Sequence, residues 1–188
     1  MKKIKLVLAL STVFMFGCAS TVQLMDKKDG ENLLETNKPV YTLVNLHPDE
    51  QRSKLYSVNY QQNGLIPLCS EVEMVELQSK RLTFKVKSTE RQYTLDKHSS
   101  SPDFGKYLAQ YFGTSCDKNT ITTMSKIDQA GIKEGVVKSG MTKQGVILAI
   151  GYPPEHRTPS LESDEWVYWR NRFGTTLIKF TDGVVTQR

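Results

Sequence analysis

The residue types that most often perform chemistry are present in this chain, but they are scattered. His47, His98 and His156 each stand alone, without a second histidine, cysteine or carboxylate at the spacing of a metal site. No serine lies in a G-x-S-x-G elbow, and the glycines match no phosphate-binding loop. The sequence therefore predicts a non-catalytic protein without a metal or cofactor, whose histidines are surface or loop residues.

Cys18 stands at the end of an apolar run. Residues 1–17 begin with three lysines among the first five positions and continue with twelve uncharged residues. Twelve helical residues span about 18 Å, short of a hydrocarbon core of about 30 Å, so a secretory signal is favoured over a membrane span or a buried helix. Gly17-Cys18 resembles the lipobox of bacterial lipoproteins, whose cysteine is acylated; ordinary cleavage near Ala19 is the alternative. The residues after Cys18 resemble those of lipoproteins sorted to the outer membrane.

The other two cysteines, Cys69 and Cys116, form an even pair in an exported chain. Disulfides persist in oxidising compartments, and a bridge here would contribute about 3–4 kcal/mol in the chain-entropy model. Two separately buried thiols are the alternative. The sequence favours the disulfide.

The net charge of +5 comes mainly from the signal segment. Three of the 25 basic residues lie in residues 1–17, which leaves 22 against 20 acidic residues. The remaining surface is nearly balanced, so the sequence gives no reason to expect nucleic-acid binding.

The mature chain divides into a tether and two modules. Residues 18–38 are polar and predict a lipidated, flexible tether. Residues 39–118 are rich in strand patterns and predict a small antiparallel sheet, barrel-like in form. Residues 119–188 predict helices followed by three antiparallel strands. The fold class expected is therefore α+β.

A hairpin is predicted over residues 71–77 and 81–87. If the turn centres on Ser79, Glu73 faces Lys85 and Glu71 faces Lys87, while apolar residues pair on the opposite face. The basic residues of the second strand are then half of a solvated ion lattice. A binding patch for anionic lipid or nucleic acid is the alternative.

Helix and turn signals position the remaining elements. Asp103 is a predicted N-cap for a short helix with an aromatic stripe, and Thr142 and Gly151 are predicted to bound an apolar helix. Asp182-Gly183 predicts a tight turn in the final hairpin.

The C-terminal part resembles a known family. Gly140-Met141-Thr142, a helix closing on Gly151-Tyr152-Pro153, then Trp166-Val167-Tyr168 and Phe180-Thr181-Asp182-Gly183-Val184-Val185 are similar to the SmpA/OmlA, or BamE-like, domain. The resemblance covers about residues 120–188. It implies an ααβββ fold in a small lipoprotein of the bacterial outer membrane, on its periplasmic face, in an extended branch of that family.

The aromatic residues of this part are the candidate partner-binding site. On a strand, Trp166 and Tyr168 share one face, while Val167 and Trp169 share the other. The candidate binding residues are Trp166, Tyr168, Trp169, Arg170 and Arg172. Core packing of the aromatic residues is the alternative.

Two function classes follow. The first is a non-catalytic outer-membrane lipoprotein, an accessory or scaffold that binds envelope proteins in outer-membrane protein assembly or envelope integrity. The second is an envelope enzyme or small-ligand-binding lipoprotein that uses the cleft between the modules, and it predicts a deep pocket with convergent polar groups.

Overall fold

A computed structural model describes residues 22–101 and 103–188, which form an α+β fold with two sheets. The predicted signal segment, Cys18 and the first residues of the predicted tether lie outside these residues. The larger sheet consists of β1 (Val40–Thr42), β2 (Lys54–Tyr56), β3 (Glu71–Gln78), β4 (Arg81–Val86), β5 (Arg91–Asp96) and β6 (Phe112–Gly113). The helices are α1 (Phe104–Leu108), α2 (Lys118–Thr123), α3 (Lys126–Glu134) and α4 (Lys143–Ile150). The smaller sheet consists of β7 (Glu165–Asn171), β8 (Gly174–Thr181) and β9 (Val184–Gln187).

The larger sheet is curled into a half-barrel. Its strand order is β2-β5-β4-β3-β1-β6, and only the β2–β5 pair is parallel. Strands β4 and β6 are separated in this order by two others, yet the ring centroids of Phe84 and Phe112 lie 5.2 Å apart. The curl brings these buried rings together and so closes a core on the concave side.

The predicted register of the β3–β4 hairpin is confirmed at its open end. Glu73 pairs with Lys85 and Val72 with Val86, but the register shifts between Met74 and Glu76. An uninterrupted register would turn Glu76 toward the face that carries the buried Leu82. The bulge instead pairs Leu77 with Leu82, which keeps the charge outside and places the turn at residues 79–80.

The C-terminal elements follow their predicted signals. Thr142 caps α4, with its side chain accepting a hydrogen bond from the Gly145 N–H, and Gly151 ends it. Asp182 and Gly183 both have positive φ, 51° and 79°, as the tight turn between β8 and β9 requires. The order α3, α4, β7, β8, β9 agrees with two helices followed by three strands, and α2 precedes them as an additional short helix that the sequence did not predict.

The segment predicted as a flexible tether is packed from Val22 onward. Leu24 is fully buried, Leu33 is buried, and the Leu33 N–H donates to the Leu24 carbonyl over 2.9 Å. The buried Asp26 side chain accepts hydrogen bonds from Thr114, 88 residues away. The expectation of a tether through Lys38 was wrong for this part, because two leucines anchor an otherwise polar segment.

The two predicted modules share one hydrophobic core, which contains side chains from both sheets and from α3 and α4. Buried amides join them. The Asn45 Nδ2 donates to the carbonyls of Ile132 (2.7 Å) and Ala149 (3.1 Å), near the ends of α3 and α4. The Asn59 Nδ2 donates to the carbonyl of Ile150 over 2.8 Å. Helix C-termini leave unpaired carbonyls, and here the first module satisfies them.

His47 belongs to the same junction. Its Nε2 lies 3.1 Å from the Ala149 carbonyl oxygen, and the residue is buried. Burial lowers the pKa of His47, against the raising effect of its hydrogen bonds to backbone carbonyls. His47 therefore lies in a loop, as one of the two expectations had it, but it is not a surface residue, since it fills a polar position inside the junction.

Candidate functional site

Strand β7 carries two of the predicted binding residues on its buried face. Trp166 and Tyr168 are 0% and 1% exposed. The Trp166 ring packs against Phe180 at 4.7 Å between centroids, and the Tyr168 hydroxyl donates to the Gly151 carbonyl over 2.9 Å. The proposal of these two residues as partner contacts was wrong, because the alternation of β7 turns them into the core beside α4.

Trp169 lies on the opposite face of β7 and is half-buried. Its ring stacks on His156, with centroids 6.4 Å apart, and the Arg157 guanidinium carbon lies 5.6 Å from the ring centroid. The Trp169 carbonyl accepts a hydrogen bond from the Gln61 N–H over 2.9 Å. The segment that follows the prolines at 153 and 154 thus covers one side of the indole and leaves the rest accessible.

The turn between β7 and β8 extends this surface. Phe173 is 82% exposed, and the Arg172 guanidinium carbon lies 4.5 Å from the centre of its ring. The turn is held by Asn171, whose Oδ1 accepts hydrogen bonds from the N–H groups of Phe173 and Gly174 over 2.9 and 3.0 Å. Arg170 is exposed at the end of β7. The ring of Phe173 and the guanidinium of Arg172 therefore stand on an internally bonded turn, and Arg170 lies on the strand just before it.

We refer to these residues together as the aromatic–arginine surface. Its members are His156, Arg157, Trp169, Arg170, Arg172 and Phe173. Within residues 22–101 and 103–188, no carboxylate lies within ion-pair distance of its three arginines. Burial lowers the pKa of His156, and the positive charge of Arg157 adds to this effect, which favours the neutral imidazole against Trp169. The surface thus offers aromatic area and unpaired positive charge.

A cleft lies between α1 and the segment after α4. It encloses about 210 Å³, and its walls include serines, tyrosines and prolines. The Ser57 hydroxyl donates to the Ser101 Oγ over 2.7 Å and accepts from the backbone N–H of His98 over 2.8 Å. Because His98 contributes its backbone rather than its ring, this serine is held in a structural hydrogen-bond network. The cleft is also smaller than the range of about 300–1,000 Å³ that is usual for ligand pockets.

The predicted cysteine pair is joined in the structure. Cys69 and Cys116 form a disulfide with 5.4 Å between their Cα atoms. It connects the loop before β3 to the segment after β6. The lipidation residue Cys18 lies outside the described residues.

Sequence reasoning missed three members of the aromatic–arginine surface: His156, Arg157 and Phe173. The signal for Phe173 was its position, since a phenylalanine between two strand patterns and directly before a glycine occupies a turn, where burial is rare. No comparable signal marked His156 and Arg157. They reach Trp169 only because the loop after α4 folds back across β7.

Fold and site together define an α+β protein with a buried polar junction and an exposed aromatic–arginine surface. No protein-family model, curated protein or solved structure matches the chain. The resemblance of residues 120–188 to BamE-like domains therefore stays a prediction. In the described part of the chain, no helix is both long and apolar enough to cross a membrane.

Proposed function

We propose that this protein is a non-catalytic lipoprotein of the bacterial outer membrane, anchored by lipid at Cys18 on the periplasmic face. As an accessory protein it binds envelope proteins through the aromatic–arginine surface. Three features of the sequence support the location: the export signal, the lipobox-like Gly17-Cys18 and the resemblance to BamE-like domains. Accessory roles in outer-membrane protein assembly or envelope integrity fit this resemblance.

The observation that carries the binding role is that Phe173 is exposed next to an arginine side chain. An aromatic ring that is 82% exposed contributes nothing to the core, yet the turn that presents it is held by its own hydrogen bonds. Trp and Arg are among the residues most enriched at the energetic centres of protein interfaces, and aromatic residues are enriched there generally. Trp169 with Arg157, and Phe173 with Arg172, supply this composition on β7 and on the turn that follows it.

The charge of the surface specifies the partner's chemistry. Arg157, Arg170 and Arg172 lack carboxylate partners among the described residues, so an incoming protein with Asp or Glu side chains can pair with them. Guanidinium groups form two parallel hydrogen bonds with a carboxylate, which favours arginine for this recognition. The expected partner presents an acidic rim around an apolar recess that receives Phe173.

Crosslinking in intact envelopes tests the proposal. The lipidated protein is recovered from crosslinked cells as wild type, as Phe173→Ser and as Arg172→Glu, and the co-purifying envelope proteins are quantified. We expect the two variants to lose most of the recovered partner while their thermal unfolding is unchanged, since neither side chain is packed in the core.

Arg52→Glu is the matched control, because Arg52 is an exposed arginine in the turn before β2, where it pairs with Asp49. It should recover partners as the wild type does. Equal recovery from wild type, Phe173→Ser and Arg172→Glu would remove the aromatic–arginine surface from the proposal.

A further inference from the structure

The cleft between α1 and the segment after α4 has walls that are fixed by the fold. The buried Tyr111 ring stacks on Tyr107, with 4.4 Å between the ring centroids, and the Tyr111 hydroxyl accepts a hydrogen bond from the Tyr152 N–H over 3.2 Å. Tyr107 and Tyr152 both line the cleft, the first from α1 and the second from the segment after α4. One buried ring therefore positions a tyrosine on each side of the cleft.

The wall after α4 is a folded loop that is rich in proline. The N–H groups of Arg157 and Thr158 both donate to the Pro154 carbonyl over 2.9 Å, and the Thr158 hydroxyl oxygen accepts a hydrogen bond from the Val167 N–H over 3.0 Å. Because proline has a fixed φ and no rotamer freedom to lose, it makes a stiff wall. The prolines that line the cleft are Pro153, Pro154 and Pro159.

Several polar side chains of the cleft are not used by the fold. Ser100, Gln110 and Tyr152 are half-buried, and their side chains make no hydrogen bond to another described residue. By contrast, the Ser57 hydroxyl donates to the Ser101 Oγ, and the Ser101 hydroxyl is within 3.2 Å of the Ser57 carbonyl. Most polar groups away from solvent are hydrogen-bonded, so free donors and acceptors that converge in one cleft point to a ligand with hydroxyl or amide groups.

The charged groups of the cleft do not select an ion. The Lys106 Nζ lies 3.6 Å from the Glu155 carboxylate, and Asp103, the other carboxylate of the lining, accepts a hydrogen bond from the Lys106 N–H as the N-cap of α1. An anion would meet two carboxylates and one paired ammonium group. Burial and the charge of Arg157 lower the pKa of His156, so its ring adds no positive charge near neutral pH. Hydrogen bonding therefore selects the ligand, and an uncharged ligand fits.

The volume of the cleft limits the ligand to a small ring. The cleft encloses about 210 Å³, whereas sites for drug-sized molecules enclose about 300–1,000 Å³. A single sugar ring is smaller than such molecules, and it combines apolar C–H faces with a rim of hydroxyl groups. Each hydroxyl both donates and accepts hydrogen bonds, which matches a lining that contains an amide and hydroxyls. The prolines and the tyrosine rings supply apolar surface for the C–H faces.

We infer that this cleft binds one pyranose ring of an uncharged sugar. Gln110 and Tyr152 bond its hydroxyl groups, and the proline wall packs against a C–H face. The inference goes beyond the proposed function, because it needs neither the lipid anchor nor a protein partner. Tyr107 and Gln110 lie outside residues 120–188, and the family resemblance contributes nothing to it. The same ring occurs in a free monosaccharide and at the end of a glycan chain, and a blocked anomeric oxygen distinguishes these sources.

Titration of the full-length protein with small sugars tests the inference. Glucose, galactose, mannose and N-acetylglucosamine are added, each as the free sugar and as its methyl glycoside. Binding is measured by saturation-transfer NMR and by calorimetry, in a detergent without sugar head groups. We expect at least one sugar to bind with a Kd of about 1 mM or lower. Equal binding of the methyl glycoside indicates the end of a glycan chain, and preference for the free sugar indicates a monosaccharide; both results support the inference.

Two variants test the contacts within the cleft. Gln110→Leu should weaken binding about tenfold, and Tyr152→Phe should weaken it several-fold. The thermal midpoint of both should stay near that of the wild type, since neither side-chain polar group has a hydrogen-bond partner among the described residues. The matched controls are Gln92→Leu, at an exposed position on β5, and Tyr60→Phe, at a ring that packs against Tyr56 outside the cleft lining. Both controls should bind the sugar as the wild type does.

Three results would overturn the inference. The first is that none of the sugars binds, and the second is that Gln110→Leu and Tyr152→Phe both bind as the wild type does. The third is that N-acetyltyrosinamide, an uncharged peptide-like probe, displaces every sugar and binds more tightly, because the cleft would then be a pocket for a protein side chain. Gln110→Leu should recover envelope partners as the wild type does, so failure of the sugar site leaves the proposed function intact.

Discussion

The outer faces of the two sheets differ in how much of their charge is paired. On the six-stranded sheet, charged side chains find partners of opposite sign within the chain. Lys85 lies 3.0 Å from both Glu73 and Glu90, and Asp96 pairs with Lys54 and Arg81 at 2.6 Å each. Most of the charge on this face is therefore paired in an ionic lattice within the chain.

The three-stranded sheet carries the aromatic–arginine surface instead. Trp169 is half-buried and Phe173 almost fully exposed, and the neighbouring arginines have no carboxylate partner in the described residues. A run of basic residues therefore indicates a binding patch only where the structure leaves it without acidic partners. Lys85 and Lys87 pair with Glu73 and Glu71 across the hairpin, whereas the three arginines have no such partner among the described residues.

The largest expected effect is the difference between the two faces of β7 in their contribution to the free energy of unfolding. Trp166→Ala should cost about 3–5 kcal/mol in the free energy of unfolding, because it leaves a large cavity against Phe180. Trp169→Ala should cost far less and should reduce partner recovery instead. Urea unfolding of both variants measures the difference.

Trp166→Phe is the control for that comparison. The Trp166 Nε1–H has no hydrogen-bond partner among the described residues, so replacement by phenylalanine loses packing but no hydrogen bond. It should cost less than Trp166→Ala. Equal costs for Trp166→Ala and Trp169→Ala would contradict the division between a core face and an open face.

The two sheets share one hydrophobic core and should unfold as one unit. Asn45→Ala would leave the Leu68 N–H without its partner and would remove one donor each from the carbonyls of Ile132 and Ala149, the second of which keeps His47. Each buried group left unpaired costs about 1–3 kcal/mol, so we expect a loss of about 2–3 kcal/mol after local rearrangement. A single unfolding transition at lower urea concentration is the expected outcome, and two separate transitions would show independent modules.

Substitution of Asp26 tests whether the N-terminal segment contributes to the stability of the body that contains the larger sheet. Burial raises the pKa of this carboxyl, but hydrogen bonds from Thr114 and Lys28 outweigh it, so the pKa lies below the ordinary value of 3.8. A carboxyl whose pKa is depressed on folding stabilises the protein above its unfolded pKa, and this contribution is lost as pH falls through the folded pKa. Asp26→Asn should therefore cost about 1–2 kcal/mol near neutral pH.

The pH dependence separates this role from simple packing. The difference in unfolding free energy between wild type and Asp26→Asn should shrink once the pH falls below 3.8. Urea titrations at neutral and acidic pH measure it. A difference that is constant with pH would mean that the charge of Asp26 is irrelevant.

The ionic lattice should give the smallest effect. Lys85→Glu/Lys87→Glu places like charges opposite Glu73 and Glu71 and should lower the urea midpoint slightly, since these pairs are exposed to solvent. Adding Glu71→Lys/Glu73→Lys reverses both pairs and should restore the midpoint. If Lys85→Glu/Lys87→Glu leaves the urea midpoint unchanged, these ion pairs do not contribute to stability, although the strand register is unaffected by that result.

Local patterns accounted for much of the fold. The alternation in β4, the cap Thr142 and the Asp182-Gly183 turn each depend on residues close in the chain, and the structure has them where they were predicted. The bulge near Val75 was missed, because strict alternation fits both strands of the hairpin if the turn centres on Ser79. Only the two-residue turn at 79–80 requires one extra residue in β3. The packing of Leu24 was missed because its contacts are distant in sequence.

The candidate site was only partly predictable for the same reason. The alternation of β7 predicted that Trp166 and Trp169 lie on opposite faces of the strand. It did not predict which of the two faces meets the core. That choice depends on where α4 lies, and the stacking of His156 on Trp169 depends on the loop after it. Arg172 was identified by type, whereas Phe173, its neighbour in the turn, was assigned no role.

The packed segment 22–38 also determines how the protein responds to force. A pull on an anchor at Cys18 reaches the fold through Leu24 and Leu33, both buried, and then through β1. Strand β1 is hydrogen-bonded on both sides, to β3 and to β6, and the Cys69–Cys116 disulfide links the segments that carry those two neighbours. Tension applied through residue 18 would therefore be resisted by buried side chains, by a strand that is hydrogen-bonded on both sides and by the disulfide between the segments that carry its two neighbours.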